Sequence, residues 1–326
     1  MTVLSQDPII IYSGGYDLLD YSCEFYGVAD ALHDLPVNFL LIQPWTGESE
    51  YNASICADRV KAMKVKHPSH RLVILANTYP ELQYLRDVGV DAIFANQNML
   101  VHRDNYFPLS GVTKSFDAVY NGQFLDFKRH RLASAVPNLA IIGYNFETAY
   151  ARETYEHMNK ANFLNYSPDT GGRWLSPRDV NLVYNKSCVG LCLSATEGAM
   201  HASMEYLLAG LPVVTTQSMG GRDYYFDGRF VFWAKDDEAS IAKAVHALKS
   251  ENFDPQFIRV ETLRKVDREL TSFFEAIGLL FGLNPARLST DLRERWFKVH
   301  NQANDKLMLH KDIEGVVAQA RGIMPI

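Results

Sequence analysis

The stretch SCVGLCLSATEGAMHASMEYLLAGLPVVTTQSMGG, residues 187–221, decides the fold prediction. The continuous apolar run 188–194 predicts a buried strand, and residues 197–209 then follow a helical pattern that stops at a Gly-Leu-Pro break. Residues 211–216 predict the next strand. A strand, a helix and a strand in this order indicate a unit of parallel sheet covered by helices.

The same alternation runs through most of the chain. Apolar runs that predict strands recur at 8–12, 37–43, 71–77, 91–96, 116–122, 139–144 and 229–234. Helical patterns lie between them, for example at 17–33 and at 176–187, where Ser176 is a suitable N-cap and Pro177 a suitable first helical residue. A looser stretch at 99–114 contains a Pro and a Gly and predicts a linker, whereas the pattern after 250 is helical. We therefore predict an α/β protein with two Rossmann-like, doubly wound parallel-sheet domains that face a cleft. The predicted boundaries are 1–110, 111–253 and a helical C-terminal tail at 254–326.

Composition narrows the possible functions. Of the 326 residues, 47% are hydrophobic and 21% are charged, which is typical of a globular protein with real cores. The net charge of −6 provides no general attraction to nucleic acid, so no nucleic-acid partner is expected. The first residues lack the features of a signal peptide and no run is long enough to span a bilayer, so we expect no transmembrane segment and a cytoplasmic protein. Cys188 and Cys192 lie in the predicted buried strand without further nearby ligands, which predicts core cysteines and no metal site.

Two acids in the opening stretch form the candidate site. Glu197 follows the predicted strand, and Glu205 lies eight residues further along. Gly198, Ala199 and Met200 would occupy the first helical turn, where backbone N–H groups have no helical acceptor and attract anions. Eight residues of helix rise about 12 Å, so the two acids could hold the two ends of a nucleotide-sugar. The alternative is that both acids are solvated surface residues.

Residues 175–228 resemble the C-terminal domain of retaining, nucleotide-sugar-dependent glycosyltransferases of the GT-B fold (group 1, family 4-like). The resemblance is carried by Glu-x7-Glu at 197–205, by AGLPVV at 209–214 and by the Gly-Gly turn at 220–221. Two weaker elements agree with it in order along the chain. NGQFLDFKRH at 121–130 resembles the phosphate clamp Gly-Arg-x4-Lys, and YSGGYD at 12–17 resembles a glycine-rich loop beside the donor diphosphate.

The resemblance implies a glycosyltransferase that moves a sugar, with retention, from a nucleotide-diphosphate donor to an unidentified acceptor. Glu205 would bind the donor ribose, Glu197 would contact the transferred sugar, and Lys128 with Arg129 would neutralise the diphosphate. No metal or other cofactor is expected, because cationic side chains replace it. Further donor-binding residues are expected in the glycine-rich loop, the clamp, the helix start and the loop before residue 176: Gly14, Gly15, Gly122, Gln123, Gly198, Ala199, Met200 and Arg173.

The sequence departs from the family pattern at two places. Gln123 stands where the clamp usually has Arg, and no His follows the N-terminal strands at the position where the family often has one. Two alternatives therefore stay open: a nucleotide-sugar epimerase of the same fold, and a non-catalytic nucleotide-sugar-binding or scaffold protein. The acceptor, expected on the N-terminal domain, could be a glycan, a lipid-linked sugar or a small molecule.

Overall fold

The computed structural model describes residues 1–13, 24–42, 45–283 and 313–325. The chain divides into two compact units. The first comprises the described parts of Met1–Leu100 and Asp267–Ile326, and the second comprises Val101–Val266. Residues 101–110 thus belong with the second unit, and the end of the chain returns to the first. Both units combine a mainly or wholly parallel sheet with helices, which confirms the predicted α/β class.

The described residues of the first unit form five strands in sequential order, β1-β2-β3-β4-β5, with β1 antiparallel to β2 and the other neighbours parallel. The strands and helices are β1 Thr2–Gln6, β2 Ile9–Ser13, α1 Glu24–Ala31, β3 Val37–Ile42, α2 Glu50–Lys66, β4 Arg71–Ala76, α3 Tyr79–Asp87 and β5 Ala92–Phe94. Alternate residues of the strands, including Ile11, Phe39 and Ile74, form one core with the three helices. The predicted helix before Glu24 and the residues Gly14 and Gly15 lie outside the described residues.

Glu81 joins two loops at the carboxyl edge of this sheet. Its side chain is buried, Oε2 accepts the backbone N–H of Asn77 at 2.7 Å, and Oε1 accepts that of Gly47 at 3.0 Å. Burial raises the pKa of Glu81 to about 7, although these hydrogen bonds oppose the rise. The carboxyl group is therefore a structural acceptor that titrates near neutral pH.

The second unit has a six-stranded, wholly parallel sheet in the order β13-β12-β11-β6-β7-β8. Its elements are β6 Phe116–Gln123, β7 Leu139–Tyr144, α4 Ala149–His157, β8 Asn162–Phe163, a small hairpin of β9 Tyr166–Ser167 and β10 Gly171–Gly172, α5 Pro177–Lys186, β11 Ser187–Cys192, α6 His201–Leu208, β12 Val213–Thr215, β13 Val231–Trp233 and α7 Glu238–Ser250. From β6 the chain adds strands in one direction and, from β11 onward, in the other. This unit is doubly wound, whereas the described strands of the first unit follow one another in sequence.

Local signals explain where several of these elements begin. Ser176 caps α5 by accepting the N–H of Asp179, and Pro177 takes the first helical position, both as predicted. The predicted linker 99–114 is attached to α5, because Asn181 and Asn185 accept backbone N–H groups at residues 107 and 109, at 3.1 and 2.7 Å. These hydrogen bonds make residues 107–109 part of the second unit.

The end of the described chain is helical, in agreement with the predicted tail. Helix α8, Pro255–Phe281, begins in the second unit and ends in the first, where Arg71 donates to the Leu280 carbonyl at 3.2 Å. A further helix, Ile313–Ala320, is bound to β1 through a 2.7 Å hydrogen bond from Gln6 to the Gln319 carbonyl. Residues 284–312 and 326 of the predicted tail lie outside the described residues. Among the described helices, none is long and apolar enough to cross a membrane.

Candidate active site

The candidate site lies at the carboxyl edge of the second sheet, beyond β6 and β11. These neighbouring strands are the point at which the strand order reverses. Loops that leave such a point in opposite directions form a crevice, and open α/β sheets bind ligands there. Residues 124–130 follow β6 and residues 193–200 follow β11, so both halves of the predicted motif lie at this point.

Lys128 and Glu197 form a buried ion pair between these two loops. The Lys128 ammonium group donates to Oε1 of Glu197, and each side chain is 6% exposed. The hydroxyl of Tyr120, a buried residue of β6, donates to the carbonyl of Lys128. Burial of two opposite charges is costly unless they pair, so the pairing holds both side chains at this position.

The loop that carries Glu197 begins the helix later than predicted. Helix α6 starts at His201, with Met200 as its extended N-cap residue, so Glu197 precedes the helix. The Glu197 N–H donates to the Met219 carbonyl at 3.0 Å, and the Gly198 carbonyl accepts the Gly221 N–H at 2.8 Å. These contacts with the Gly-Gly turn keep the backbone extended. The prediction of one continuous helix over 197–209 is wrong for this reason, and so is the 12 Å rise derived from it.

This loop leaves backbone donors available before α6. Within the described part of the chain, the N–H groups of Gly198, Ala199 and Met200 donate to no acceptor in hydrogen-bond range. They directly precede the positive end of the α6 dipole. Unpaired N–H groups beside a helix N-terminus are a suitable environment for an anion.

Glu205, on α6, points at a polar cluster rather than at solvent. Its Oε2 accepts the Tyr184 hydroxyl at 2.5 Å and the Asn121 amide at 3.4 Å, and Tyr106 also donates to the carboxylate. Burial raises the pKa of Glu205, and the three hydrogen bonds counteract the rise. Next to it, Tyr206 accepts the Asn121 backbone N–H at 2.7 Å, which attaches α6 to β6.

Tyr206 also explains a glycine in β11. A Cβ atom on Gly190 would lie 2.5 Å from the buried Tyr206 ring. The ring therefore packs directly on the backbone of β11, and α6 approaches the sheet closely.

Tyr144, at the end of β7, lies near both acids and was missed in the sequence. Its pKa is raised mainly by burial and also by the charges of Glu205 and Glu197. Its ring centroid lies 5.5 Å from that of Trp174, whose side chain is 59% exposed. The predicted residue Arg173 is exposed beside Trp174, and its backbone is hydrogen-bonded to that of the loop after β8. The position of Tyr144 follows from the strand order, which periodicity does not reveal.

Gly122 and Gln123 are the last two residues of β6. A Cβ on Gly122 would lie 3.7 Å from Cδ of Lys128, so this glycine backs the lysine side chain. His130 lies just beyond, fully buried against the Tyr120 ring at 4.7 Å. Burial and the Lys128 charge lower the pKa of His130 to about 3, so it is neutral at ordinary pH.

Arg129 has a left-handed backbone conformation, with φ of 54°, which turns its side chain away from that of Lys128. Its guanidinium donates to the Leu193 carbonyl at 2.6 Å, to Thr216 Oγ1 at 2.8 Å and to both oxygens of Asp236, at 2.8 and 3.2 Å. The left-handed conformation costs a non-glycine residue about 1 kcal/mol, so these bonds offset a local strain.

A second arginine, Arg222, was also missed. It directly follows the Gly-Gly turn, is fully buried, and donates to the Ser194 carbonyl and to Thr215 Oγ1, the latter at 2.8 Å. Asp223 pairs with it at 2.7 Å. Its position next to a turn already singled out is a sequence signal, but its partners are separated from it along the chain. Arg222 joins the ends of β11 and β12.

Metal-binding residues do not cluster in the described part of the chain, where no group of three His, Cys, Asp or Glu side chains could hold an ion.

Comparisons with known proteins identify the fold. No family model matches the chain, and no curated protein matches its sequence. Among solved structures, the chain is similar to sucrose-phosphate synthase of Thermosynechococcus elongatus, with a TM-score of 0.55, 14% identity and coverage of 84% of this chain and 72% of that one. A UDP-forming α,α-trehalose-phosphate synthase of Burkholderia xenovorans gives 0.55 at 12% identity, covering 87% and 73%. The N-terminal domain of Candida albicans trehalose-6-phosphate phosphatase gives 0.56 at 11%, covering 84% and 70%.

The fold is GT-B. At these identities the likeness concerns the GT-B fold, and the assignment of individual side chains rests on the geometry above.

Proposed function

We propose that the protein is a glycosyltransferase that transfers a sugar from a nucleotide-diphosphate donor to a hydroxyl acceptor, with retention of anomeric configuration. The observation that carries the proposal is the buried Lys128–Glu197 pair beyond the switch point of the second sheet. The GT-B fold and the UDP-forming activity named for one structural neighbour support it. An ammonium group beside unpaired backbone N–H groups matches the needs of a diphosphate leaving group.

In this proposal Lys128 binds the leaving phosphate. An ammonium group has three N–H donors, and the pair with Glu197 uses one of them. The bond from the anomeric carbon to phosphate oxygen breaks, and negative charge develops on that oxygen. Lys128 and the N–H groups of Gly198, Ala199 and Met200 stabilise this charge without reorganisation, which is usually the largest catalytic contribution. They serve in place of a metal ion.

The two acids have different roles. Glu197 accepts hydrogen bonds from hydroxyls of the transferred sugar, next to the charge that stabilises the phosphate. Glu205 binds the ribose hydroxyls of the donor, and its hydrogen bonds from Tyr184 and Asn121 fix its orientation. The acceptor hydroxyl attacks the anomeric carbon on the face that the phosphate leaves, and the departing phosphate takes its proton.

The proposal is tested by thermal unfolding with a panel of nucleoside diphosphates and nucleotide-sugars. Selective stabilisation by one diphosphate is expected, amounting to about 2.7 kcal/mol at a hundred times its Kd. Glu205→Gln should weaken that binding about tenfold, since it loses a charged acceptor. Glu153→Gln, which alters an exposed acid paired with Arg131, is the matched control and should bind normally.

The outcomes separate the alternatives. Transfer of the sugar to an acceptor supports the proposal. Conversion of the donor sugar with release of nucleotide and no acceptor would indicate an epimerase. No stabilisation by any diphosphate nucleotide would refute the donor site and leave a scaffold protein.

A further inference from the structure

Arg129 adjoins Lys128 in the sequence, yet the two side chains have different surroundings. Lys128 reaches Glu197, whereas the Arg129 guanidinium is held by the ends of two other strands and by Asp236. Four hydrogen bonds from its five N–H donors go to protein acceptors, two of which, the Leu193 carbonyl and Thr216 Oγ1, belong to fully buried residues. A guanidinium in this arrangement would have to break several bonds to contact a phosphate.

The acceptors of Arg129 lie at the base of the loop that carries Glu197 and at the end of β12. Leu193 is the first residue of the loop 193–200 that carries Glu197. Arg129 therefore links the loop after β6, where Lys128 lies, to the base of the loop where Glu197 lies. The Thr216 hydroxyl extends the link to the end of β12.

Arg222 holds the same loop at Ser194, the residue that follows Leu193. Arg222 donates to the Ser194 carbonyl, and Arg129 donates to the Leu193 carbonyl. Both arginines also bind Thr216, one at its carbonyl and the other at its hydroxyl. Two consecutive carbonyls of the site loop are thus fixed by two guanidinium groups, each with its own carboxylate partner.

We propose that Arg129 is a positioning residue for Lys128, held by Asp236, and that it does not contact the phosphates of the ligand. Asp236 fixes the guanidinium, the guanidinium fixes the loops after β6 and β11, and the loops set the position of the Lys128 ammonium group against Glu197. The inference rests on the proposed function only for the identity of the ligand.

The first experiment measures the protection of Lys128 without any ligand. Native full-length protein is briefly methylated with formaldehyde and a borohydride, and mass spectrometry gives the labelling rate of Lys128. In Asp236→Asn and Arg129→Lys we expect Lys128 to react about fivefold faster. Asp236→Asn removes the charge that holds the guanidinium, and Arg129→Lys removes the planar fork of donors. Glu153→Gln, which removes the neighbouring exposed pair with Arg131, should leave the rate unchanged. Unchanged rates in both Asp236→Asn and Arg129→Lys would overturn the inference.

The second experiment uses the sign of a charge effect on the binding of UDP. If the Arg129 charge acted directly on a diphosphate, removal of the opposing Asp236 charge would tighten UDP binding. A positioning role predicts the opposite, namely UDP binding that is about fivefold weaker in Asp236→Asn. UDP binding should also be weakened in Arg129→Lys, although the charge is conserved, since an ammonium group cannot form the planar fork. Asp236 is half exposed, so its substitution should not prevent folding.

The two experiments separate the failure of each proposal. If wild-type protein does not bind UDP or any other diphosphate nucleotide, the proposed function fails, and the labelling rates alone decide the role of Arg129. If wild-type protein binds UDP and Asp236→Asn binds it more tightly, the proposed function stands and the positioning role is refuted.

Discussion

Replacing Lys128 with Met should destabilise the second unit by about 3–5 kcal/mol, because it removes one partner of a buried pair. The magnitude follows from burial: the Lys128 and Glu197 side chains are each 6% exposed, so the remaining carboxylate cannot be solvated. The pair Arg131–Glu153 serves as an internal comparison. Its N–O distance is 3.3 Å and its side chains are 52% and 58% exposed, which predicts a contribution of about 0–1 kcal/mol.

Hydrogen exchange of the β6 and β11 amides is the suitable assay, because it reports the stability of the second unit separately from the first. Exchange in Lys128→Met should be faster by about two to three and a half orders of magnitude, given 1.4 kcal/mol per decade. Glu197→Gln should restore most of the protection when combined with Lys128→Met, since no buried charge then remains unpaired. Two results would refute the reasoning. One is a loss of protection in Lys128→Met no larger than that in Arg131→Met, and the other is a double variant that is no better protected than Lys128→Met.

Two further predictions concern stability. Burial raises the pKa of Glu81 to about 7, above the value of about 4.3 for Glu in the unfolded chain, so the folded protein favours the protonated carboxyl group. This contribution to stability is fully present below pH 4 and is lost as the pH rises through 7. The free energy of unfolding of the wild-type protein should therefore fall by about 1.4 kcal/mol between pH 6 and pH 8. Urea unfolding at the two pH values should show a smaller fall for Glu81→Gln, and an equal fall in both proteins would contradict this. Gly190→Ala should lower the free energy of unfolding by about 1–3 kcal/mol, because the added Cβ would lie 2.5 Å from the Tyr206 ring. Urea unfolding should show no such loss for the control Gly228→Ala, whose added Cβ has no neighbour within 4 Å.

The sequence predicted those features that depend on neighbouring residues. The apolar run at 188–194 and the Ser-Pro start at 176–177 predicted a strand and a helix, and both are present. The α/β class followed from repetition of such units. These signals are reliable because burial and capping act within a few residues.

Features that depend on distant parts of the chain were predicted less well. The helix start at Glu197 was wrong because the Glu197 N–H pairs with the carbonyl of Met219, 22 residues later. Tyr144 and Arg222 were missed because the order of strands in the sheet brings them to the site, and no local sequence pattern predicts that order. The roles expected for Lys128 and Glu205 stay predictions, although the structure provides the contacts from which they can be tested.

The Lys128–Glu197 pair has a consequence for ligand affinity. In the proposed function the donor phosphate binds a lysine that Glu197 already neutralises, since the pair leaves two N–H donors of the ammonium group for the ligand. The phosphate then meets an ion pair of low net charge, so the electrostatic gain on binding would be smaller than that from an unpaired ammonium group. The same pair holds the Glu197 carboxylate in place before the donor binds. The orientation of this acid toward the transferred sugar would therefore be set during folding and not during binding.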